Sequence, residues 1–260
     1  MKLPVKPNRE LGQHFLVDDN ILGVIGRLAG LEAGDVVLEV GPGLGVLTAY
    51  LAERVARVHA VELDRGLEPY LAEQLRDHAN VDFLFGDALR LDLAALDPAP
   101  SKFVANLPYN VATPLIVESL DGLPSVDHWT VMVQREVADR LFARPSTKAY
   151  GAVSVLVQLA SERTGFHSVS RTVFRPQPNV DSALVAFRRV PLPDRFSDLK
   201  SVVEAAFAHR RKTLPNSVEL AGLASRARAA EALTAIDREP TVRAEALEPH
   251  EFVALAAALR

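Results

Sequence analysis

The stretch Asn106-Leu107-Pro108-Tyr109, which follows the apolar run 103–105, combines groups that could position a poorly nucleophilic amine. A carboxamide oxygen and a backbone carbonyl can accept both hydrogens of an aromatic amine and direct its lone pair at an electrophile. The proline stiffens the loop, and the tyrosine ring can stack on an extruded base. An amide beside a proline is also ordinary turn chemistry, so the stretch alone does not decide between a loop and a catalytic site.

Four successive strand-like runs end in residues that could bind a ligand. They are a glycine-rich turn containing Gly41 and Gly43, then Glu62, Asp87 and Asn106. A carboxylate at the position of Glu62, 21 residues after Gly41, can accept both hydroxyls of a ribose. Asp87 can accept a hydrogen bond from an exocyclic amine. Because the carboxyl ends of parallel strands meet at one edge of a sheet, their joint occurrence favours one site over four unrelated loop residues.

The glycine-rich turn does not match the dinucleotide-binding fingerprint. The third glycine of G-x-G-x-x-G would fall where the chain has Val46, which disfavours a pyrophosphate site and an oxidoreductase. A nucleoside without phosphates fits better, with its ribose on Glu62, its adenine amine on Asp87 and an amino-acid tail beside the glycines. The predicted cofactor is therefore S-adenosylmethionine.

The pattern of secondary structure predicts an α/β fold. Apolar runs alternate with helix-length amphipathic segments, the first helix running from Val46 to about Val55, which is typical of a mainly parallel sheet with helices on both faces. The predicted strands are 36–40, 58–61, 81–85, 103–105, 130–133, 172–174 and 183–187. From about Asp194 onward only alanine-rich helical periodicity remains. We therefore predict a catalytic domain over 1–190 and a small helical domain over 191–260.

Composition excludes several classes of protein. The 260 residues are 48% hydrophobic and 24% charged and include no cysteine, which excludes disulfides and thiolate chemistry. Neither a signal peptide nor an apolar run of about 18 residues is present, so we predict a cytoplasmic protein without a membrane partner. The seven histidines show no ligand-like pairing, and we predict no metal.

Charge is distributed unevenly along the chain. Lys and Arg number 10 against 18 Asp and Glu in residues 1–124, 9 against 5 in 125–190, and 10 against 10 in 191–260. Phosphate binding depends on local basic surface rather than on the net charge of −4. A nucleic-acid partner is therefore compatible with this sequence, although charge asymmetry of this size is more often a solvated surface.

Seven motifs in order resemble those of the ribosomal RNA adenine N6-dimethyltransferases, and the last resembles the small-subunit (KsgA) type. They are Gly12–Leu16, Glu39–Gly45, Glu62–Asp64, Gly86–Ala88, Asn106–Asn110, Phe174–Ser182 and Arg210–Asn216. The resemblance implies a Rossmann-like S-adenosylmethionine-dependent methyltransferase sheet with a small C-terminal helical domain. It implies dimethylation of two adjacent adenosines in a 3′-terminal hairpin loop of small-subunit ribosomal RNA, within an assembling 30S particle. We further expect a monomer.

The motifs and the basic segments together give a predicted set of site residues. The catalytic residues are Asn106, Leu107, Pro108, Tyr109 and Phe174. The cofactor-binding residues are Gln13, His14, Leu16, Gly41, Gly43, Glu62, Leu63, Asp87, Ala88 and Asn106. His14 lies where many bacterial members of the family have asparagine, and both side chains can donate a hydrogen bond. The RNA-binding residues are Arg135, Arg140, Arg144, Lys148, Arg210, Arg211 and Lys212.

Three of these assignments have structural alternatives. The segment 12–16 could be an arm that packs Phe15 and Leu16 on the core. Phe174 could be an edge-strand residue beside two prolines, or a ring that clamps a base opposite Tyr109. The basic residues at 209–212 could offset a helix dipole instead of binding phosphates.

Three classes of function are weighed. The leading one is an RNA adenine N6-methyltransferase. The second is another S-adenosylmethionine enzyme acting on small-molecule amines or DNA, and the third is a noncatalytic RNA-binding or assembly factor. The intact 106–109 stretch opposes the third class, and the basic segments favour RNA over a small molecule.

Overall fold

The computed structural model describes residues 3–8 and 11–260, and the chain divides into two compact units. The first unit comprises residues 1–138 and 163–189, and the second comprises 139–162 and 190–260. The predicted boundary at residue 190 lies where the last part of the second unit, residues 190–260, begins. Residues 139–162 also belong to the second unit, because the helix they contain packs against the later helices. The roles predicted for the two parts remain predictions.

The first unit is built on a seven-stranded sheet. The strands are β1 (Phe15–Leu16), β2 (Val36–Val40), β3 (Arg57–Glu62), β4 (Val81–Phe85), β5 (Lys102–Asn106), β6 (His128–Gln134), β7 (Ser161–Val169), β8 (Phe174–Arg175) and β9 (Ser182–Arg189). The sheet order is β4-β3-β2-β5-β6-β9-β7, and β1 pairs with β8 in a separate two-stranded sheet. Strands β2 to β6 are parallel, and β9 is antiparallel to β6.

Ten α-helices lie in the part of the chain that the structure describes. They are α1 (Asp19–Ala29), α2 (Val46–Ala52), α3 (Glu68–Gln74), α4 (Ala112–Gly122), α5 (Arg135–Leu141), α6 (Ala152–Ala160), α7 (Phe196–Phe207), α8 (Leu214–Leu220), α9 (Arg226–Thr234) and α10 (Pro249–Leu259). Helix α1 begins at the Asp18 cap and ends at Gly30, which is left-handed, as is usual at helix ends. The predicted first helix is α2, which ends three residues earlier than expected.

Helices cover both faces of the sheet in the first unit. Met132 faces the core cluster that includes residues of α1 and α2. Trp129, three residues earlier on β6, therefore points to the opposite face. There its indole nitrogen donates to Ser119 of α4 at 2.9 Å, and its ring stacks on Phe187 at 5.3 Å. The predicted α/β class with a mainly parallel sheet is confirmed.

Two details of the late strands differ from the prediction. Residues 171–173 form a 3₁₀ turn capped by the Ser170 side chain, and only Phe174 and Arg175 are extended. Strand β7 was missed because most of its side chains are exposed on the sheet edge. An edge strand of this kind lacks the apolar run or strict alternation that indicates a strand.

The second unit is helical, as expected for the residues after 194. Tyr150 is fully buried there, and its hydroxyl donates to the Leu247 carbonyl at 2.8 Å. Its ring meets Phe207 edge-on at 5.9 Å, and Phe207 stacks on Phe252 at 5.7 Å. Across residues 3–8 and 11–260, no helix has the length and apolar character needed to cross a membrane.

Candidate active site

The glycine-rich turn after β2 lies against two other segments of the first unit. Gly41 and Gly43 have φ of 78° and 58°, which glycine adopts without strain. A Cβ atom at Gly41 would lie 3.2 Å from the Pro108 ring, and one at Gly43 would lie 3.0 Å from the Phe15 ring. The two glycines therefore allow the turn to contact both the loop after β5 and the strand β1.

Glu62, at the end of β3, is a buried carboxylate fixed by two backbone groups. Its Oε2 accepts from the Gly43 N–H at 3.2 Å, and its Oε1 accepts from the Asp64 N–H at 2.9 Å. Burial raises the pKa of Glu62, and these two N–H groups partly offset that effect. The carboxylate is held between the turns that follow β2 and β3, where its oxygens can also accept from the hydroxyls of a ligand.

Asp87, which follows β4, lies at the same edge of the sheet. Its Oδ1 accepts from the Leu89 N–H at 3.0 Å, and its Oδ2 is 3.5 Å from the Arg90 guanidinium. Leu63 and Leu89 line the same pocket, yet 53% and 41% of their surface is exposed. Apolar side chains exposed on the wall of a pocket are suited to contact a flat ring such as adenine.

Asn106 ends β5 in an orientation that leaves its amide oxygen as the available acceptor. Its Nδ2 donates to the His14 carbonyl at 3.4 Å. The next residue is anchored to the neighbouring strand, because the Leu107 N–H donates to the Met132 carbonyl at 3.0 Å. The Pro108 carbonyl accepts from the Val111 N–H at 3.1 Å, which closes the loop into α4. The loop is therefore fixed through its backbone at two points.

Tyr109 is a half-buried ring held at its hydroxyl. Its oxygen lies 2.6 Å from Ser182 Oγ, and its ring centroid lies 5.6 Å from that of His14. His14 is itself fixed, with Nδ1 2.7 Å from the Pro176 carbonyl. Burial raises the pKa of Tyr109, so the phenol stays neutral at physiological pH. It can position a base by stacking but does not serve as a general base.

These groups border one pocket of about 1070 Å³, measured out to bulk solvent. All ten predicted cofactor-binding residues line it, as do the four residues of the 106–109 stretch. Every lining residue belongs to the first unit.

The base clamp predicted at Phe174 is not supported. Its side chain is fully buried and packs in a core cluster that includes Leu16 and Ile25, and it does not line the pocket. The register of β1 and β8, which pairs Leu16 with Phe174, accounts for this position. The structural alternative weighed for the segment 12–16 also applies, because Phe15 and Leu16 are both buried.

The sequence reasoning missed Glu39, a buried carboxyl on the pocket wall. Glu39 is 1% exposed, and its Oε2 has no hydrogen-bond partner among the described residues. Burial raises its pKa to about 8, which the neighbouring Thr48 hydroxyl partly counters. An acidic residue inside the apolar run Val36-Val37-Leu38-Glu39-Val40 was the available signal, because buried carboxyls are rarely left without a partner.

The predicted RNA-binding residues fall in both units. Arg135 belongs to the first unit, where it donates to Ser168 at 3.0 Å and lies over the Phe166 ring. The others belong to the second unit, and all six are exposed. They are Arg140, Arg144, Lys148, Arg210, Arg211 and Lys212. Arg210 also has an internal role, because its guanidinium donates to the Tyr150 carbonyl at 2.8 Å.

Within residues 3–8 and 11–260, no three His, Asp or Glu side chains are grouped so that they could hold a metal ion. The expectation of a metal-free site remains a prediction.

The sheet order, with β9 antiparallel beside β6, and the pocket at the carboxyl ends of the parallel strands define the class of S-adenosylmethionine-dependent methyltransferases. The chain belongs to the ribosomal RNA adenine dimethylase family, whose model matches residues 5–255. The resemblance read from the motifs is thereby confirmed.

Known relatives extend over nearly the whole chain. The ribosomal RNA small subunit methyltransferase A of Rubrobacter xylanophilus is 48% identical over 251 residues, which are 96% of this chain and 94% of that protein. A dimethyladenosine transferase from Plasmodium falciparum is similar in structure, with a TM-score of 0.77 and 24% identity over 93% of this chain and 96% of that one. The 23S rRNA methyltransferase ErmE has a TM-score of 0.66 and 28% identity over 94% and 99%.

Proposed function

We propose that this protein transfers methyl groups from S-adenosylmethionine to N6 of two adjacent adenosines in a 3′-terminal hairpin loop of small-subunit (16S) ribosomal RNA, two to each nitrogen. The observation that carries the proposal is the Asn106 carboxamide. Its nitrogen donates to the His14 carbonyl, so its oxygen is left to accept from a ligand in the pocket that Asn106 lines. Asn106 ends β5, which is adjacent to β2, the strand that the glycine turn follows. Asn106 and Glu62 line the same pocket.

The residues of the pocket fit S-adenosylmethionine. When bound, this cofactor supplies an electrophilic methyl group on a positively charged sulfur. Glu62 can accept from its ribose hydroxyls and Asp87 from its adenine amine, and the glycine turn leaves space beside the backbone. The unpartnered buried oxygen of Glu39 is suited to a cationic ligand, because an opposite charge nearby favours the ionised carboxylate.

The loop after β5 can activate the target amine without a strong base. The Asn106 oxygen and the Leu107 carbonyl accept the two amine hydrogens, which directs the nitrogen lone pair at the methyl carbon. S-adenosylmethionine, when bound, would supply the methyl group and leave as S-adenosylhomocysteine, and the methylated nitrogen would carry a positive charge. Its proton is then acidic enough to pass to water. Tyr109, kept neutral by burial, provides the ring on which the base stacks.

The substrate is ribosomal RNA within an assembling 30S particle, and the protein acts as a monomer in the cytoplasm, with a role in small-subunit biogenesis. The name of the Rubrobacter xylanophilus relative supports the small-subunit substrate. Exposed basic side chains at Arg144, Lys148, Arg211 and Lys212 support a phosphate-rich partner.

The test is methyl transfer from labelled S-adenosylmethionine to unmethylated 30S particles, naked 16S RNA and DNA in parallel. We expect label in the RNA of the particles and N6,N6-dimethyladenosine by mass spectrometry of its nucleosides. Asn106→Ala should lower the single-turnover rate by about 10²–10³, as loss of an aligned hydrogen-bonding group does elsewhere. Gln74→Ala, an exposed amide at the end of α3, is the matched control and should retain full activity.

Label in DNA alone, or only N6-monomethyladenosine from the unmutated protein, would contradict the proposal. Tight binding to 30S particles without any transfer would favour an assembly factor. Full activity in a folded Asn106→Ala variant would remove the carboxamide from the mechanism while leaving the substrate assignment intact.

A further inference from the structure

The segment 11–16 forms one wall of the pocket, and its attachments differ at its two ends. At the later end, Phe15 and Leu16 pair with β8, and the His14 carbonyl accepts from Asn106. At the earlier end, the chain turns at Gly12, which has a φ of 64°. The side chain of Gln13 lies between these two ends.

Both polar atoms of the Gln13 side chain are used within the protein. Its Oε1 accepts from the Asn8 N–H at 2.7 Å. Its Nε2 donates to Asp64 Oδ2 at 2.9 Å, across 51 residues of sequence. Gln13 was predicted to contact the cofactor, and it does line the pocket. Its amide, however, already makes one hydrogen bond through each polar atom, to Asn8 and to Asp64.

Asp64 connects this hydrogen bond to the ribose side of the pocket. Its other carboxylate oxygen accepts from the Gly66 N–H at 2.9 Å, and its own N–H donates to Glu62 Oε1 at 2.9 Å. The turn 62–66 is therefore internally hydrogen-bonded. Gln13 joins the N-terminal wall to the same turn that presents Glu62 and Leu63 to the pocket.

We propose that the Gln13–Asp64 hydrogen bond, here called the latch, holds the N-terminal wall against the ribose turn and sets how long the cofactor stays bound. Gln13 is thus a positioning residue that acts through Asp64, not a cofactor contact. The inference rests on the proposed function for the identity of the ligand. A ligand enclosed between the wall and the turn leaves more slowly when the two are joined, because release then requires the hydrogen bond to break.

The geometry permits a test by reversing the hydrogen bond. In Gln13→Glu two carboxylates face each other, and in Asp64→Asn two amide nitrogens do. In the double variant the glutamate can still accept from Asn8, the asparagine can still accept from Gly66, and the asparagine N–H can donate to the glutamate. The double variant therefore restores every hydrogen bond around the latch and keeps the net charge of Gln13–Asp64.

The measured quantity is the dissociation rate constant of S-adenosylhomocysteine, obtained by chasing labelled ligand from the full-length protein. Each single variant should release the ligand about 10-fold faster, and the double variant within about 3-fold of the unmutated rate. The single-turnover rate at saturating cofactor should change less than the dissociation rate. Gln74→Glu and Asp77→Asn, both exposed, are controls for the same chemical changes and should release the ligand at the unmutated rate.

A second measurement does not depend on the single variants being folded. The chain contains no cysteine, so Gln13→Cys with Asp64→Cys can be joined selectively by a short bis-thiosulfonate reagent. The joined protein should release S-adenosylhomocysteine more slowly than the same protein after reduction. Equal dissociation rates before and after reduction would overturn the latch. A double Gln13→Glu, Asp64→Asn variant that releases the ligand as fast as the single variants would also overturn it. In both cases, binding of S-adenosylhomocysteine by the unmutated protein would leave the proposed function standing. An unmutated protein that binds no S-adenosylhomocysteine would overturn both.

Discussion

The pocket of the first unit and the basic surface of the second are built in different ways. In the pocket, Glu62, Asn106 and Tyr109 are each fixed by a hydrogen bond to a partner elsewhere in the first unit. On the second unit, Arg211 and Lys212 are exposed in the turn between α7 and α8, whereas the neighbouring Arg210 donates to two backbone carbonyls.

The difference is consistent with the roles proposed for the two regions. Methyl transfer depends on the position of a single nitrogen, so its groups need fixed geometry. Phosphate contacts depend mainly on the density of positive charge, which flexible side chains supply equally well. We therefore expect changes in the pocket to act steeply and individually, and changes on the basic surface to act weakly and additively.

The largest expected effect is on stability, and it concerns the buried ring of Phe174, which packs beside Leu16 of the pocket wall. Phe174→Ala should lower the free energy of unfolding by about 3–5 kcal/mol, because it leaves a cavity next to Leu16 in the core. Urea unfolding measures this, and Phe174→Leu should lose much less. Unchanged stability together with accumulation of N6-monomethyladenosine would instead place the ring at the target base and restore the clamp.

A large effect on ligand affinity is expected at Glu62, the proposed ribose carboxylate. Glu62→Ala should weaken S-adenosylmethionine binding by about 1.5–3 kcal/mol, the usual value of hydrogen bonds to a charged group. Calorimetry measures the affinity, and Glu73→Ala, an exposed glutamate on α3, serves as the control. An unaltered affinity in a folded Glu62→Ala protein would show that this pocket group does not contribute individually to ligand affinity.

Glu39 should make stability depend on pH. Folding raises its pKa from 4.5 to about 8, so its protonated form stabilises the protein fully below pH 4.5. That contribution is lost as the pH rises through 8. Glu39→Gln does not ionise, and its stability advantage over the unmutated protein should grow by about 1.4 kcal/mol per pH unit between those values. Unfolding curves that stay parallel from pH 5 to pH 8 would contradict the buried-carboxyl assignment.

The smallest effect is expected on the basic surface. Replacing Arg211 and Lys212 with glutamine should make affinity for the 30S particle less sensitive to salt. The negative slope of log affinity against log salt should decrease in magnitude by about 1.5, since each phosphate contact contributes about 0.7–0.9. Cofactor affinity should not change. Arg226→Gln with Arg228→Gln, on α9 of the same unit, is the matched control. A full salt slope in the 211/212 variant would indicate that these side chains serve the helix end instead.

Most of the sheet could be predicted because its parallel strands are short apolar runs, buried in the central strand β2 and half-buried in the edge strand β4. The composition of the runs 36–40 and 81–85 therefore predicts strands, and the predicted bounds agree with the structure. Strand β7 could not be predicted in this way, because Thr164, Phe166 and Ser168 are all exposed and no core imposes a pattern on them.

The pocket was predictable to the extent that its residues follow strand ends. Glu62, Asp87 and Asn106 each come directly at or after such an end, and the topology brings them to one edge. Contacts between segments distant in sequence were not predictable. The burial of Phe174 depends on its pairing with Leu16, and the engagement of the Gln13 amide depends on Asp64, and neither leaves a local signal.

The pairing of Leu16 with Phe174 also has a consequence for synthesis of the protein. During synthesis, the pocket wall formed by the segment 11–16 emerges about 160 residues before the strand β8 that pairs with it. Until β9 emerges, β6 has an unpaired edge and the Tyr109 hydroxyl lacks Ser182. The nascent sheet is therefore exposed to pairing with other chains during that interval. These contacts can form only after β9 has been translated, near the end of the first unit.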